Sequence, residues 1–309
     1  MGKHSIFAPS SSNRWFNCPG SIELGARARA ERPAGSESSP AAEEGTRAHD
    51  EASTALESSI YELTGLDPAV VYYLQHIASE KRRTPPLAEF YEFPVRSLAY
   101  PEIYGTLDYA LLSRDRLVVM DYKHGSGVLV QPNSNQLKIY AYMFLESIKP
   151  IAPAQLELHI VQPRYNGEDP VRKLVLDTQD FIESFGKELN EAMRAVKYFP
   201  EYTALGSWCQ FCPATSLCPS QTEKFNELFN AADADVDHLS RTELVDVLDK
   251  SQSVKKLIKE SEAKAKRLLS DGKMLDGWEL QVYNNGRKRL RKTKTMEELN
   301  DMFDKEESK

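Results

Sequence analysis

Two neighbouring stretches decide how this chain is read: Tyr104-Gly105-Thr106-Leu107-Asp108-Tyr109-Ala110-Leu111-Leu112 and Arg116-Leu117-Val118-Val119-Met120-Asp121-Tyr122-Lys123. Both are β-rich, and Ser113-Arg114-Asp115 joins them as a short polar link, so they read as adjacent strands. Asp108 falls in the middle of the first run and Asp121 at the end of the second. Alternation puts Asp121 and Lys123 on one face. If the strands pair, Asp108 comes to lie beside Asp121. Two carboxylates that close repel each other unless a cation such as Mg²⁺ or Mn²⁺ sits between them.

Outward from this pair the pattern alternates between the two periods. Upstream, Glu89 to Ser97 alternates as a strand. Two helices precede it, from Ala41 to Leu56 and from Asp67 to Lys81, the second with an Asp67-Pro68 start. The opening Ser10 to Cys18 reads as a helical turn ending at the cysteine, and Glu31 to Pro40 as a loop. Downstream come a short apolar piece (Val128-Leu129-Val130) and a helix from Asn133 to Glu146 with an apolar stripe. A strand from Gln155 to Gln162 and a helix from Asp177 to Tyr198 follow. The order is that of a mixed α/β layer. Beyond Cys218-Pro219 the texture changes. Leu239 to Ser270 is highly charged with helical spacing, Trp278 to Leu290 reads as a hairpin turning at Asn285-Gly286, and Met296 to Phe303 as a last short helix. The expected division is a core over residues 1–225 and an accessory region over 226–309.

A chain of 309 residues that is 41% apolar can bury a large core. It has no apolar run of membrane-spanning length and no signal-peptide core at Met1 to Pro9, so the expectation is a soluble cytoplasmic protein without disulfides. The net charge of −7 disfavours bulk attraction to nucleic acid. Local excess matters more, and Arg287, Lys288, Arg289, Arg291, Lys292 and Lys294 form a basic strip. Those charges either grip DNA phosphates or guard an exposed edge strand. Trp278 and Tyr283 beside them either stack on bases or pack the hairpin.

The acidic pair is the candidate for chemistry. A divalent ion there would polarise a phosphate and lower the pKa of a bound water. Lys123 would steady the charge that develops on the phosphorus oxygens. The residue types match hydrolysis of a phosphodiester. The plainer alternative is a turn at Asp108 and a surface ion pair at Asp121–Lys123. Against it, Val119 and Met120 make Asp121 emerge from a buried strand, where charge needs a partner. Gln136 and Tyr140 lie one helical turn apart just downstream and can hold a lysine, water or phosphate, or else simply pack. His49 is a third candidate ligand or a bystander on its helix.

The cysteines are split one against three: Cys18, then Cys209, Cys212 and Cys218. Four thiolates complete one centre, either zinc or a 4Fe–4S cluster. A distant thiolate with a tight trio suits the cube better than the matched pairs of zinc sites. Cys18, Cys212 and Cys218 are each followed by proline, which stiffens the ligand loop. Trp208, Phe211 and Leu217 are candidates to shield it.

Taken together, Gly45-Thr46-Arg47-Ala48-His49, Gly105-Thr106-Leu107-Asp108, Asp121-Tyr122-Lys123 and Gln136 with Tyr140 resemble the ordered motifs of RecB-like nucleases of the PD-(D/E)XK superfamily. The cysteines resemble the subset with an iron–sulfur clasp, such as AddB-type and CRISPR-adaptation nucleases. The opening Arg14-Trp15-Phe16-Asn17-Cys18-Pro19-Gly20-Ser21 is most similar to a phage-borne branch catalogued as a domain of unknown function. The resemblance implies a restriction-endonuclease-like mixed sheet flanked by helices, with an Fe–S clasp and a helical C-terminal unit. It implies that His49, Asp108, Asp121 and the carbonyl of Tyr122 hold Mg²⁺ or Mn²⁺, that Lys123 is catalytic, and that Gln136 and Tyr140 support it. The implied function is cleavage of DNA, exonucleolytic on strand ends, in phage or prophage recombination. That places it in the bacterial host cytoplasm among recombination or replication proteins. Asp121 stands where glutamate is commoner, and His124-Gly125-Ser126-Gly127 is less typical of the AddB-type members. A DNA-binding adaptor without turnover and a zinc-clasped scaffold are the alternatives.

Overall fold

The computed structural model describes residues 5–31, 40–58, 64–148, 152–231, 240–283 and 286–293. The chain divides after Ala204 into two compact units. The Glu31–Pro40 loop (apart from its two end residues), Asn285, Lys294 and the Met296–Phe303 helix of the sequence reading lie outside the described residues.

The first unit is a mixed α/β layer. Its sheet contains β1 (Ala88–Arg96), β2 (Tyr104–Leu112), β3 (Arg116–Tyr122), β4 (Gln155–Val161) and β5 (Val171–Asp177), in sequence order. β1, β2 and β3 form the expected antiparallel meander; β3 and β4 are parallel; β4 and β5 are antiparallel. The parallel step requires a crossover, supplied by a helix (Asn135–Ile148) between β3 and β4. All of β3 is buried. A central strand covered on both faces reads as a continuous apolar run, as Leu117 to Met120 does.

Helices cover both faces. In chain order they are α1 (Ser12–Asn17), α2 (Ser21–Ala30), α3 (Pro40–Glu57), α4 (Pro68–Arg83), α5 (Asn135–Ile148) and α6 (Thr178–Tyr198). One core joins Trp15 of α1, Leu137 and Phe144 of α5 and Phe185 of α6 to Leu117 and Val119 of β3. The other joins Ala48 and Ala52 of α3 and Tyr73 and Ile77 of α4 to Val118, Met120 and Tyr122. Period-two alternation in β3 thus feeds both cores. It sends Asp121, in phase with Leu117 and Val119, toward the α5 side. Asp67 caps α4 by accepting from the Ala69 N–H at 2.7 Å. Asp177 caps α6 by accepting from the N–H groups of Gln179 and Asp180. Each cap contributes about 1 kcal/mol.

β5 was not foreseen. Its run Val171-Arg172-Lys173-Leu174-Val175-Leu176-Asp177 mixes charge with apolar residues because it is an edge strand, and its last residue doubles as the α6 cap. Val128-Leu129-Val130 forms no strand, and Val128 is exposed.

In the second unit, Cys209 lies in a short 3₁₀ turn, Ser207–Phe211, which Cys212 directly follows, and Cys218 directly follows a second, Thr215–Leu217. α7 (Pro219–Ala231), α8 (Arg241–Ser270) and a hairpin of β6 (Trp278–Val282) and β7 (Lys288–Lys292) follow. Ser240 and Glu243 form a reciprocal capping box at the start of α8. Within the described residues, no helix is long and apolar enough to cross a membrane.

Candidate metal centre

The β2–β3 register pairs Tyr109 with Met120, and one further step of the same register sets Asp108 opposite Asp121. The Asp108 side chain turns to the end of β3, where its Oδ2 accepts from the Tyr122 N–H at 2.7 Å. An extended residue presents its N–H and C=O to the same edge, so the Tyr122 carbonyl is turned to the Asp108 side.

Asp121 is nearly inaccessible, its side chain 3% exposed. Lys123 Nζ lies 3.0 Å from its Oδ1 and 2.8 Å from its Oδ2. Gln136 of α5 completes a triangle: its Oε1 accepts from Lys123 Nζ at 3.2 Å, and its Nε2 donates to Asp121 Oδ1 at 3.3 Å. Oδ2 has the ammonium beside it but no donor aligned for a hydrogen bond. A buried carboxylate oxygen in that state has a lone pair available to a cation. One turn along α5, Tyr140 bonds to Gln136, and its hydroxyl pKa is raised by burial and then by the charges of Asp121 and Asp108. Gly105 makes room for this ring. A Cβ there would meet Tyr140 Cε1 at 3.0 Å and its hydroxyl at 3.2 Å.

His49 arrives from α3, with Nδ1 3.6 Å from Asp108 Oδ1 and 3.7 Å from Glu92 Oε1. Sequence reading did not single out Glu92. The signal lies in the backbone: within the described residues it is the non-glycine residue with positive φ, at +43°, in the middle of β1. Tyr91 pairs with Tyr109 and Phe93 with Leu107, while the level between them, Glu92 and Asp108, drops out of the ladder. Both strands shift phase there. Ala88 and Phe90 share a core with Phe93 and Val95, and Leu107 shares it with Ala110 and Leu112. A bulge-like break of this kind re-aims side chains, and left-handed strain at a non-glycine residue concentrates at functional sites.

The electrostatics follow from crowding. Burial and the neighbouring Asp121 push Asp108 up to about 7. Burial alone would lower His49, but the bond to Glu92 and the charges of Asp108 and Asp121 raise it to about 9. Burial would likewise lower Lys123, yet Asp121 and Asp108 raise it. An excess of negative charge therefore meets a proton on His49 and an ammonium on Lys123. His49, Glu92 and Asp108 bring their ligand atoms within 4.8 Å of one another. Carboxylate oxygens with one imidazole suit Mg²⁺ or Mn²⁺, so these residues fit the ion that the sequence reading expected.

The described residues hold one other such donor set, His76, Glu80 and His159, and neither set contains a cysteine. Cys18, in the first unit, is buried at the end of α1 and accepts from the Ala204 N–H at 3.5 Å. In the second unit Cys209 and Cys218 are buried and Cys212 is half-buried, and none of the four is in a disulfide. Phe211, an expected shield, is 70% exposed.

In the hairpin, Trp278 pairs with Lys292 and Leu280 with Leu290. Lys288 and Lys292 therefore share a face with Leu290, while Arg289 and Arg291 take the other. Arg291 Nε lies 3.9 Å from Glu279, Arg289 sits over the Tyr283 ring, and Lys288 donates to Ser270. Arg287 precedes β7. The basic strip is thus spread over both faces, as alternation requires.

The model of a family described as a protein of unknown function, DUF2800, matches residues 4–71 and 95–309. Among solved structures, the crystal structure of SSO0001 aligns over 72% of this chain and 89% of that chain, at 13% identity and a TM-score of 0.33.

Proposed function

The chain belongs to the DUF2800 family, and we propose that it is a metal-dependent deoxyribonuclease of the RecB-like PD-(D/E)XK kind. The observation that carries this reading is the triangle of Asp121, Lys123 and Gln136, held beside Asp108 in a buried strand pair. A purely structural ion pair does not need a second carboxylate raised by its neighbour.

His49, Glu92, Asp108, Asp121 and the Tyr122 carbonyl would hold Mg²⁺ or Mn²⁺. When bound, that ion supplies Lewis-acid polarisation of the phosphate and a water of lowered pKa. The chain's own residues do the rest. Asp121 and Gln136 fix the Lys123 ammonium so that its charge faces a phosphate oxygen, where it offsets the charge that develops in the transition state. Tyr140 holds Gln136, and Gly105 leaves space for Tyr140. The products are a phosphomonoester and a free hydroxyl. Exonucleolytic action on DNA ends, a phage or prophage recombination role and a bacterial cytoplasmic setting rest on the resemblance of the motifs. So does a 4Fe–4S cluster on Cys18, Cys209, Cys212 and Cys218, for which Zn²⁺ is the alternative. The basic strip at Arg287, Lys288, Arg289, Arg291 and Lys292 is proposed to meet DNA phosphates.

The test is cleavage of labelled linear and circular DNA by anaerobically purified protein with Mn²⁺ or Mg²⁺, beside Asp121→Ala. Loss of cleavage in the variant supports the reading. Equal cleavage by both proteins, or none by wild type with either ion, rejects it.

A further inference from the structure

His76 and Glu80 lie one turn apart on α4 and so project from one side of that helix. His159, fully buried in β4, faces them. His76 Nε2 and His159 Nδ1 are 3.2 Å apart, and the other nitrogen of His159, Nε2, lies 3.2 Å from Glu157 Oε2. Burial would raise the Glu157 carboxyl, but the hydrogen bond with His159 and then the charges of Arg83, His159 and Arg116 hold it below the usual carboxylate range, so it can only accept. His159 therefore carries its proton on Nε2 and turns the Nδ1 lone pair to His76. A carboxylate behind one nitrogen of a histidine, with the other nitrogen presented to a ligand site, is the usual outer shell of a metal-bound imidazole.

The spacing also fits. Two imidazole nitrogens on one tetrahedral zinc, with bonds of about 2.05 Å, stand about 3.3 Å apart. The nitrogens here already stand at that separation, and a Glu80 oxygen lies within 4.8 Å of both. Glu80 Oε2 is taken by Arg116 at 2.8 Å, with Arg83 Nε at 3.3 Å. Its Oε1 is held by Lys173 Nζ at 2.6 Å. Arg116 is buried, whereas Lys173 is 36% exposed on the edge strand β5.

We propose that His76, His159 and Glu80 form a second cation site, for zinc or another imidazole-preferring divalent ion, with Glu157 as the positioning residue of His159. Lys173 is the built-in competitor. Its ammonium stands on Glu80 Oε1 and leaves for water when the ion enters. Removing one positive charge partly offsets the two that arrive beside Arg83 and Arg116. Burial and then the neighbouring charges hold His76 down to about 4, and burial lowers His159 as well. Both rings are therefore neutral at pH 7, as ligands must be. The ion would tie α4 to β4 at a site separate from Asp108 and Asp121.

The experiment uses the whole chain, stripped with EDTA and dialysed against buffered Zn²⁺, with bound zinc counted by elemental analysis. His76→Gln, at a half-buried position, should bind one zinc fewer per chain than wild type with an unchanged circular dichroism spectrum. Any zinc on the cysteines or at the acidic centre is common to both proteins and cancels. Lys173→Met should retain that zinc and hold it more tightly, whereas a structural ion pair would only lose stability. Glu157→Gln should weaken binding by roughly 10–100-fold. Equal zinc in wild type and His76→Gln, or no tightening in Lys173→Met, overturns the proposal.

Discussion

The Asp108 carboxylate reaches from the middle of β2 to the end of β3 and accepts the Tyr122 N–H at 2.7 Å. That bond ties it to the residue between Asp121 and Lys123, so Asp108 cannot swing away from Asp121 without leaving a buried donor unpaired. The repulsion between the two carboxylates is consequently retained by the fold. It appears, together with burial, as the raised pKa of Asp108. Like charges held together by a backbone bond are an arrangement that a divalent cation would neutralise.

Asp108→Asn follows from this directly. An amide of the same shape still accepts from the Tyr122 N–H but carries no charge. In EDTA at pH 8 its unfolding midpoint should lie above that of wild type, while Mn²⁺-dependent cleavage falls by about 10²-fold or more. Thermal melts and a gel assay on the same preparations check both arms. A variant that is less stable and still cuts would mean that Asp108 is structural.

Glu92 gives a second prediction, with an unusual sign. In an ordinary strand alanine is more stable than glycine, by about 0.5–1 kcal/mol. At φ +43° a Cβ is strained, by roughly 1–2 kcal/mol. Glu92→Gly should therefore be about as stable as Glu92→Ala or more so, and both should bind Mn²⁺ more weakly than wild type. Urea melts of the pair decide the backbone question, and calorimetric titration the ligand question.

The break at Glu92 also marks where sequence reading stops. The Asp108–Asp121–Lys123 cluster was legible because period-two alternation and two polar interruptions of apolar runs are local signals. The helix carrying Gln136 and Tyr140 was legible from its stripe. Glu92 was not, because nothing in Phe90-Tyr91-Glu92-Phe93-Pro94 distinguishes a strand glutamate from a bulged one. The positive φ arises from pairing with β2, a long-range effect. β5 escaped for a related reason. Lys173 lies on the exposed side of this edge strand, and Arg172 is buried on bonds to Val130, Asp169 and Gln162, so two charges interrupt its apolar pattern. His76 and His159, 83 residues apart, could be brought together only by the fold.

Gly105→Ala tests the support for Lys123 without touching a charge. The added methyl would meet the Tyr140 ring edge at 3.0 Å and its hydroxyl at 3.2 Å, so the ring must move by a few tenths of an ångström. Gln136 would lose its bond to Tyr140, and Lys123 part of the support that orients it. The expected result is a fall in kcat with little change in KM, because a group that acts in the transition state is misplaced while binding contacts remain. Tyr140→Phe should show a similar fall, because it removes the hydroxyl that bonds to Gln136. A Gly105→Ala enzyme with wild-type kcat would remove Tyr140 from the mechanism.

The proposed cluster makes a prediction about material rather than rate. One centre joining Cys18 to the later trio closes a loop of nearly the whole core, which by analogy with a cross-link is worth about 5 kcal/mol. That is comparable to the net stability of a domain. Anaerobically purified protein should be brown and contain iron, and Cys212→Ala should be insoluble or degraded. Colourless wild type whose zinc content drops in Cys212→Ala would replace iron by zinc. Soluble, fully active Cys212→Ala would remove the clasp altogether.

The pH dependence of the metal-free protein has a sign fixed by two groups. His49 is raised from 6.5 to about 9, so its contribution is complete below pH 6.5 and is lost as pH rises through about 9. Asp108 is raised from 3.8 to about 7, so its proton favours the folded state below pH 3.8, and that advantage is lost as pH rises through about 7. Both act in the same direction. In EDTA, the acidic centre should make the fold progressively less stable from about pH 4 to pH 9, because the folded state binds more protons than the unfolded one across that window. A divalent ion bound as proposed would oppose this slope: it would replace the His49 proton and pair the ionised Asp108, so its stabilising effect should grow with pH. The difference in unfolding midpoint with and without Mn²⁺, measured at pH 6 and pH 8, should be larger at pH 8. His49→Gln should flatten the metal-free profile above pH 7. A difference that shrinks with pH would mean the ion does not bind among these residues.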